Sequence, residues 1–289
     1  MSNWTATDLP SFAGRRVIVT GANSGLGEVT AKELARVGAG VILAVRNTEK
    51  GAAAAANMTG DVEVRALDLQ DLSSVRAFAE GIDGNVDVLI NNAGIMAVPH
   101  ALTRDGFESQ IGTNHLGHFA LTNLLLPKIT DRVVTVSSFM HTTGYISLKD
   151  LNWKSRPYLA WPAYGQSKLA NLLFTSELQR RLDGAGSTLK AHSAHPGYSA
   201  TNLQGQTGTK IGEAIGSLGN KMATDAAFGA RQTLYAASQD LPGDSFIGPR
   251  FIMRGPTGQT WRSPLARNAD KARGLWELSE QLTGVPFGL

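Results

Sequence analysis

The stretch Val17-Ile18-Val19-Thr20-Gly21-Ala22-Asn23-Ser24-Gly25-Leu26-Gly27 decides how the rest of the chain is read. Its opening run is β-branched and apolar without alternation, the pattern of a strand buried on both faces. Glycines at 21, 25 and 27 interrupt the run, and Leu26, Val29, Leu34 and Val37 then share one face of a helix. Strand, turn and helix in that order point backbone amides at an anion. Gly21 permits the sharp exit from the strand, Gly25 a close approach of backbone to pyrophosphate, and Gly27 tight packing of helix on sheet. Gly21, Asn23, Ser24, Gly25, Leu26 and Gly27 are therefore expected to cradle a dinucleotide.

The same pattern repeats outward from this turn. Further short apolar runs lie at Val41 to Val45, Val62 to Leu67, Val86 to Ile90 and Val133 to Val136, with later ones at Leu189 to Ala194 and Phe246 to Ile252. Helix-length segments separate them, which predicts an α/β fold: a doubly wound parallel sheet of about seven strands with helices on both faces. Ligands of such a sheet sit beyond the carboxyl ends of its strands. No low-complexity linker or repeat divides the chain, so residues 1–289 are read as a single domain. Glycine density rises after residue 203, and about 202–222 is read as a substrate lid, followed by a helix capped at Thr224-Asp225 and reaching Ala237.

Composition removes several alternatives. Lys and Arg number 27 against 24 Asp and Glu, a formal charge of only +3, which is no nucleic-acid footprint. The chain has no cysteine, so disulfide scaffolds, thiol nucleophiles and zinc ribbons are excluded. Mean hydropathy is −0.10, no stretch is apolar enough to cross a bilayer, and the first residues lack an apolar signal core. The expectation is a cytoplasmic protein without membrane or nucleic-acid partners.

The end of the second strand bears on the choice of nicotinamide dinucleotide. A carboxylate there would bond the ribose 2′-hydroxyl and repel a 2′-phosphate, but the residues are Val45-Arg46-Asn47. Arg46 can pair a phosphate through its planar fork, so NADP(H) is favoured over NAD(H). Asp68, beside Leu69, could accept the adenine amino group. Asn92, Ala93 and Gly94 could lay small side chains and backbone beside the adenosine. Asp68 is equally readable as a turn or cap residue.

Tyr164 and Lys168 stand four residues apart at the head of a helical segment and share its face. A neighbouring ammonium and an oxidised nicotinamide both favour phenolate, so an acidified Tyr164 is expected. With these residues the chain resembles the short-chain dehydrogenases/reductases. Thr20-Gly21-x-x-x-Gly25-x-Gly27, Asn91-Asn92-Ala93-Gly94, Asn114, Ser138, Tyr164-x-x-x-Lys168 and Pro196-Gly197 occur in that family's order. The resemblance implies that Ser138 holds the substrate oxygen, Tyr164 exchanges its proton, and Lys168 binds the nicotinamide ribose. It also implies that Asn114 anchors a water leading to Lys168, and that Pro196, Gly197 and Thr201 lie against the nicotinamide and its phosphates. Ser137 competes with Ser138, since only one side chain can face the cleft. The resemblance also implies assembly as a homodimer or homotetramer through the long helices.

Asn114-His115-Leu116-Gly117-His118-Phe119, the Val45-Arg46-Asn47 ending and His195-Pro196-Gly197-Tyr198 resemble the retinol dehydrogenase and WW-domain oxidoreductase branch. That branch implies NADP(H) and a bulky apolar alcohol or carbonyl substrate. Tyr145, Trp153, Tyr158 and Trp161, in an extra segment at 141–162, either line an apolar pocket or pack the insertion down. His115 and His118 lack a third ligand at metal spacing, so no metal is expected. The reaction expected is hydride transfer between NADP(H) and an alcohol/carbonyl pair. The alternatives are a sugar-nucleotide epimerase or dehydratase, whose glycine spacing Ser24 does not match, and a redox sensor that binds NADP(H) without turnover.

Overall fold

The computed structural model describes residues 4–197 and 226–289. The β-branched runs become the strands β1 (Arg16–Thr20), β2 (Gly40–Val45), β3 (Val62–Ala66), β4 (Val86–Asn91), β5 (Ile129–Val136), β6 (Lys190–Ala194), β7 (Phe246–Pro249) and β8 (Thr257–Gln259). They form one sheet in the order β3-β2-β1-β4-β5-β6-β7-β8. Neighbours pair parallel from β3 through β7, and β8 runs antiparallel along the β7 edge. Strand order reverses at β1, which lies between β2 and β4, so a crevice opens over the carboxyl ends of β1 and β4.

Two details depart from the sequence reading. The sheet has eight strands rather than about seven, and its last pair is antiparallel. The Phe246 to Ile252 run also stops being a strand at Pro249, which has no N–H to continue a ladder. Beyond it the chain reverses through Ile252 at φ 66° and Gly255 at φ 111° and returns as β8.

The helices are α1 (Gly25–Arg36), α2 (Thr48–Ala55), α3 (Leu72–Glu80), α4 (Ser109–Ile111), α5 (Gly117–Leu125), α6 (Ala160–Gly184), α7 (Ala226–Ser238) and α8 (Ala269–Thr283). Val17, Val19, Val41, Leu43 and Ile90 pack on one face of the sheet with Ala31 and Leu34 of α1 and Leu234 of α7. Ile18, Ile42, Leu89 and Val133 pack on the other with Phe78 of α3, Phe119 of α5 and Phe174 of α6. Coverage on both faces is why the strands carry no polar alternation.

The buried face of α1 includes the expected Leu34, with Val29 and Val37 packed at its margin, and adds small residues. Gly27, Thr30, Ala31 and Leu34 are buried, whereas Leu26, Val29 and Val37 are only half-buried. Small residues meet the sheet because the helix lies too close to it for large ones at its first turn. A β-carbon on Gly27 would run into the Asn92 amide. Most of α6 is buried, since it lies between the sheet and α8, where Phe174 stacks on Trp276 at 5.7 Å. No helix among the described residues is long and apolar enough to cross a membrane. The lid expected at about 202–222 and the cap at Thr224-Asp225 lie outside the described residues.

Candidate active site

The glycine turn leaves β1 as its residues require. Gly21 has φ +66° and Gly25 φ +57°, both in the left-handed region that favours glycine. A β-carbon on Gly21 would stand 2.9 Å from Ala93 Cα, so the turn and the end of β4 are in direct backbone contact. Asn92 seals this junction by donating its side-chain amide to Thr20 O at 2.8 Å. Thr20 Oγ1 in turn accepts the Asn92 and Ala93 N–H groups, each at 2.9 Å. Ser24 takes the N-cap position of α1, yet its hydroxyl makes no capping bond. Asn23, Ser24 and Leu26 are half-buried along the same rim.

Between α4 and α5 the helix widens into a π turn, Gly112–Leu116, which contains Asn114. Wide turns of this kind occur often at functional sites because they redirect backbone carbonyls. The Asn114 side chain is fully engaged: Oδ1 accepts Ile95 N–H at 2.9 Å, while Nδ2 donates to Ile95 O at 2.9 Å and Ser167 Oγ at 2.8 Å. Ser167 itself donates to Tyr164 O at 2.8 Å and so couples the π turn to α6. Gly94 must be small here. Its β-carbon would sit 3.1 Å from Asn114 Oδ1 and 3.5 Å from Lys168 Nζ.

Lys168 Nζ is buried and donates to Val136 O at 3.1 Å, beside Asn171, which donates to the same carbonyl at 3.1 Å. Burial brings its pKa down to about 8. Nζ lies 5.7 Å from the centre of the Tyr164 ring, one helical turn back. Tyr164 is 6% exposed, and burial pushes its pKa up to about 12, against a lowering by a hydrogen bond from Ser138. Burial thus shifts the phenol in the direction opposite to the one expected of a neighbouring ammonium, and Lys168 is not among the causes of the shift. Loss of hydration outweighs the neighbouring groups, so Tyr164 holds its proton at neutral pH.

The two serines separate cleanly. Ser137 is buried and turns its hydroxyl away from the crevice to donate to Lys168 O at 2.8 Å. Ser138 follows β5 and accepts Met140 N–H at 3.1 Å, which leaves its own hydrogen free for the phenol. The chain then makes a 3-10 turn, Phe139–Thr143, that lands on α6 at Gly165. A β-carbon on Gly165 would approach Met140 O to 2.9 Å. This contact holds the turn after Ser138 against α6.

The remaining expected cofactor residues are spread along the same crevice. Arg46 is exposed past the end of β2 and makes no ion pair among the described residues. Asn47, next to it, caps α2 by accepting Lys50 N–H at 2.8 Å. Asp68 spends Oδ1 on a local turn, accepting Gln70 N–H at 3.0 Å, as the competing reading allowed. Leu69 is buried against Gly117. Gly197 has φ +71° and its N–H donates to His195 Nδ1 at 3.2 Å; Pro196 precedes it. Thr201 lies outside the described residues.

Of the insertion's aromatics, Trp153 and Tyr158 pack inward, 5.7 Å apart, and Tyr158 donates to Val98 O at 3.0 Å. Trp161 is 41% exposed with its ring edge-on to Tyr164 at 6.4 Å, and Tyr145 is 59% exposed. The histidines are engaged separately: His115 Nε2 meets Ser279 Oγ at 2.9 Å, and His118 contacts Thr20 and Asn114. Ser167, Asn171 and Gly165 are site residues that local sequence patterns did not single out, and Thr20 and His118 were noted there without the roles they take here.

Comparison with known proteins identifies the family. The short chain dehydrogenase family pattern matches residues 15–212. Retinol dehydrogenase 13 of Homo sapiens is 43% identical over 295 residues, covering 95% of this chain and 86% of that protein. A crystal structure of an uncharacterized Mycobacterium paratuberculosis protein is 68% identical, with a TM-score of 0.90 and 100% of both chains covered. An RhlG/NADP active-site complex from Pseudomonas aeruginosa has a TM-score of 0.64 at 23% identity, over 82% of this chain and 95% of that one, which shows a shared fold.

Proposed function

Given that the chain belongs to the short chain dehydrogenase family, oxidoreductases that interconvert CH–OH and C=O with a nicotinamide cofactor, we propose that it works with NADP(H) on a bulky apolar alcohol/carbonyl pair. The observation that carries this reading is the Ser138 hydroxyl close enough to the Tyr164 phenol to lower its pKa, with Lys168 one turn away on the same helix. The nicotinamide, when bound, supplies or takes up the hydride.

The rest is done by side chains. In reduction, Tyr164 protonates the substrate oxygen, and its raised pKa keeps that proton in place until the oxygen becomes basic. Ser138 donates a hydrogen bond to the same oxygen and stabilises the charge that develops on it. Lys168 holds a positive charge near the phenol and would contact the ribose, and Asn114 would anchor a water leading to the lysine. Gly21 to Gly27 receive the pyrophosphate, with Asp68, Leu69 and Asn92 to Gly94 along the adenosine and Pro196-Gly197 by the nicotinamide. Arg46 supports the choice of NADP(H), since no carboxylate competes with a 2′-phosphate at the end of β2.

Trp161, exposed beside Tyr164, and the similarity to retinol dehydrogenases support an apolar substrate. The family match does not favour the sugar-nucleotide and sensor readings. Consumption of NADPH and NADH with aliphatic, steroidal and isoprenoid aldehydes and ketones tests the proposal. Turnover is expected with NADPH and large apolar carbonyls, and Tyr164→Phe should lose about 10²- to 10⁴-fold in kcat while still binding NADPH. Binding of NADPH without turnover on any carbonyl would reject it.

A further inference from the structure

One buried titratable group beside the site has no part in the chemistry just described. His118, in the first turn of α5, is 2% exposed and lies between the glycine turn and the π turn. Its Nδ1 is 3.1 Å from Asn114 O, and a carbonyl only accepts, so Nδ1 carries a hydrogen. Burial and the nearby Lys168 charge keep the ring neutral, with a pKa of about 4. The other nitrogen, Nε2, is then a bare acceptor, and the Thr20 hydroxyl 2.9 Å away donates to it. That hydroxyl already accepts two amides from the end of β4. A single directed chain of hydrogen bonds thus runs from Asn92 and Ala93, through Thr20 and the imidazole, to the Asn114 carbonyl.

We propose that His118 is a positioning residue: it fixes the π turn that carries Asn114, whose side chain reaches α6 through Ser167, and ties that turn to the strand ends beside the glycine turn. The inference rests on the catalytic reading of Asn114, Tyr164 and Lys168. Only a side chain that donates at one end and accepts at the other can do this, and the neutral imidazole does so without a charge beside the lysine. The two ends of the chain differ in what they lose without the ring. Thr20 Oγ1 has a second acceptor in Ile90 O, 3.4 Å away, so the cofactor turn keeps its anchor. Loss of His118 therefore falls mainly on Asn114 and on turnover.

The full chain carrying His118→Leu or His118→Gln tests this, by steady-state reduction of a carbonyl substrate and by titration of NADPH. The glutamine amide can both donate to Asn114 O and accept from Thr20, whereas leucine can do neither. His118→Leu should lower kcat by about tenfold or more with the NADPH Kd within about threefold of the parent. His118→Gln should keep at least about a third of the parental kcat. Normal kcat in the leucine variant, a loss expressed wholly in Kd, or a folded glutamine variant as slow as the leucine one would each overturn the proposal. The glutamine arm decides the matter alone if the leucine variant does not fold. Tyr164→Phe is measured in parallel: if it retains turnover, the catalytic reading itself is wrong, and that outcome is distinct from a His118 effect.

Discussion

Gly165 and Thr143 lie so close that a methyl group on the glycine would stand 2.5 Å from the threonine hydroxyl. Gly144 is seated equally tightly against Gly165 O. The turn that follows Ser138 therefore rests on α6 one residue past Tyr164, and this contact is expected to set how the serine stands to the phenol. Gly165→Ala should force the turn outward, costing about 1–3 kcal/mol by overpacking. It should also lower kcat more than it weakens NADPH binding. Urea unfolding with steady-state kinetics checks both, and an alanine variant with full turnover would show that the contact does not set the site.

The two adjacent serines should behave oppositely. Ser138→Ala removes the hydroxyl that faces the phenol, and kcat should fall by about 10²-fold with stability nearly unchanged. Ser137→Ala removes a buried bond to Lys168 O, costing about 1–3 kcal/mol with kcat within about threefold. Equal kinetic losses in the two variants would contradict the assignment.

Cofactor preference should follow Arg46. Replacing it with Asp puts a carboxylate at the end of β2, which repels a 2′-phosphate and can accept from a 2′-hydroxyl. The ratio of kcat/KM for NADPH to that for NADH should drop by about tenfold or more. Unchanged discrimination in steady-state assays would remove Arg46 from the cofactor site.

Acid should destabilise the chain in a defined window. Burial holds His115 and His195 at a pKa of about 3 and His118 and His192 at about 4, all from an ordinary value of 6.5. Between pH 6.5 and about 4 the unfolded chain takes up protons that the folded chain refuses. Stability from these groups is thus complete above 6.5 and is lost as pH falls, at about 1.4 kcal/mol per pH unit for each histidine. Urea midpoints at pH 7, 5.5 and 4.5 should decline accordingly. A flat profile over that range would show that the rings are hydrated.

Much of the fold was legible because its signals are local. The glycine turn lies within one strand-turn-helix unit, and Tyr164 and Lys168 lie within one helical turn. Where the reading went astray, the missing information was distance across the fold. The apolar residues of α1 told of Leu34, but only close approach to the sheet selects Gly27, Thr30 and Ala31 beside it. The phenol's pKa was reasoned from its charged neighbour, whereas desolvation by surrounding elements is larger. Thr20 and His118 meet across 98 residues of sequence, and no periodicity announces such a pair. Asn114 was singled out from its motif, but the π turn that holds it is visible only in the backbone.

From residue order alone came the α/β sheet, the dinucleotide turn, the tyrosine–lysine pair and the candidacy of Arg46, because each depends on spacing within a few residues. The structure decided that Ser138 rather than Ser137 lies by the phenol, that burial raises the Tyr164 pKa, and that an imidazole joins the glycine turn to Asn114. These depend on burial and on contacts between distant segments, which exist only once the chain has packed.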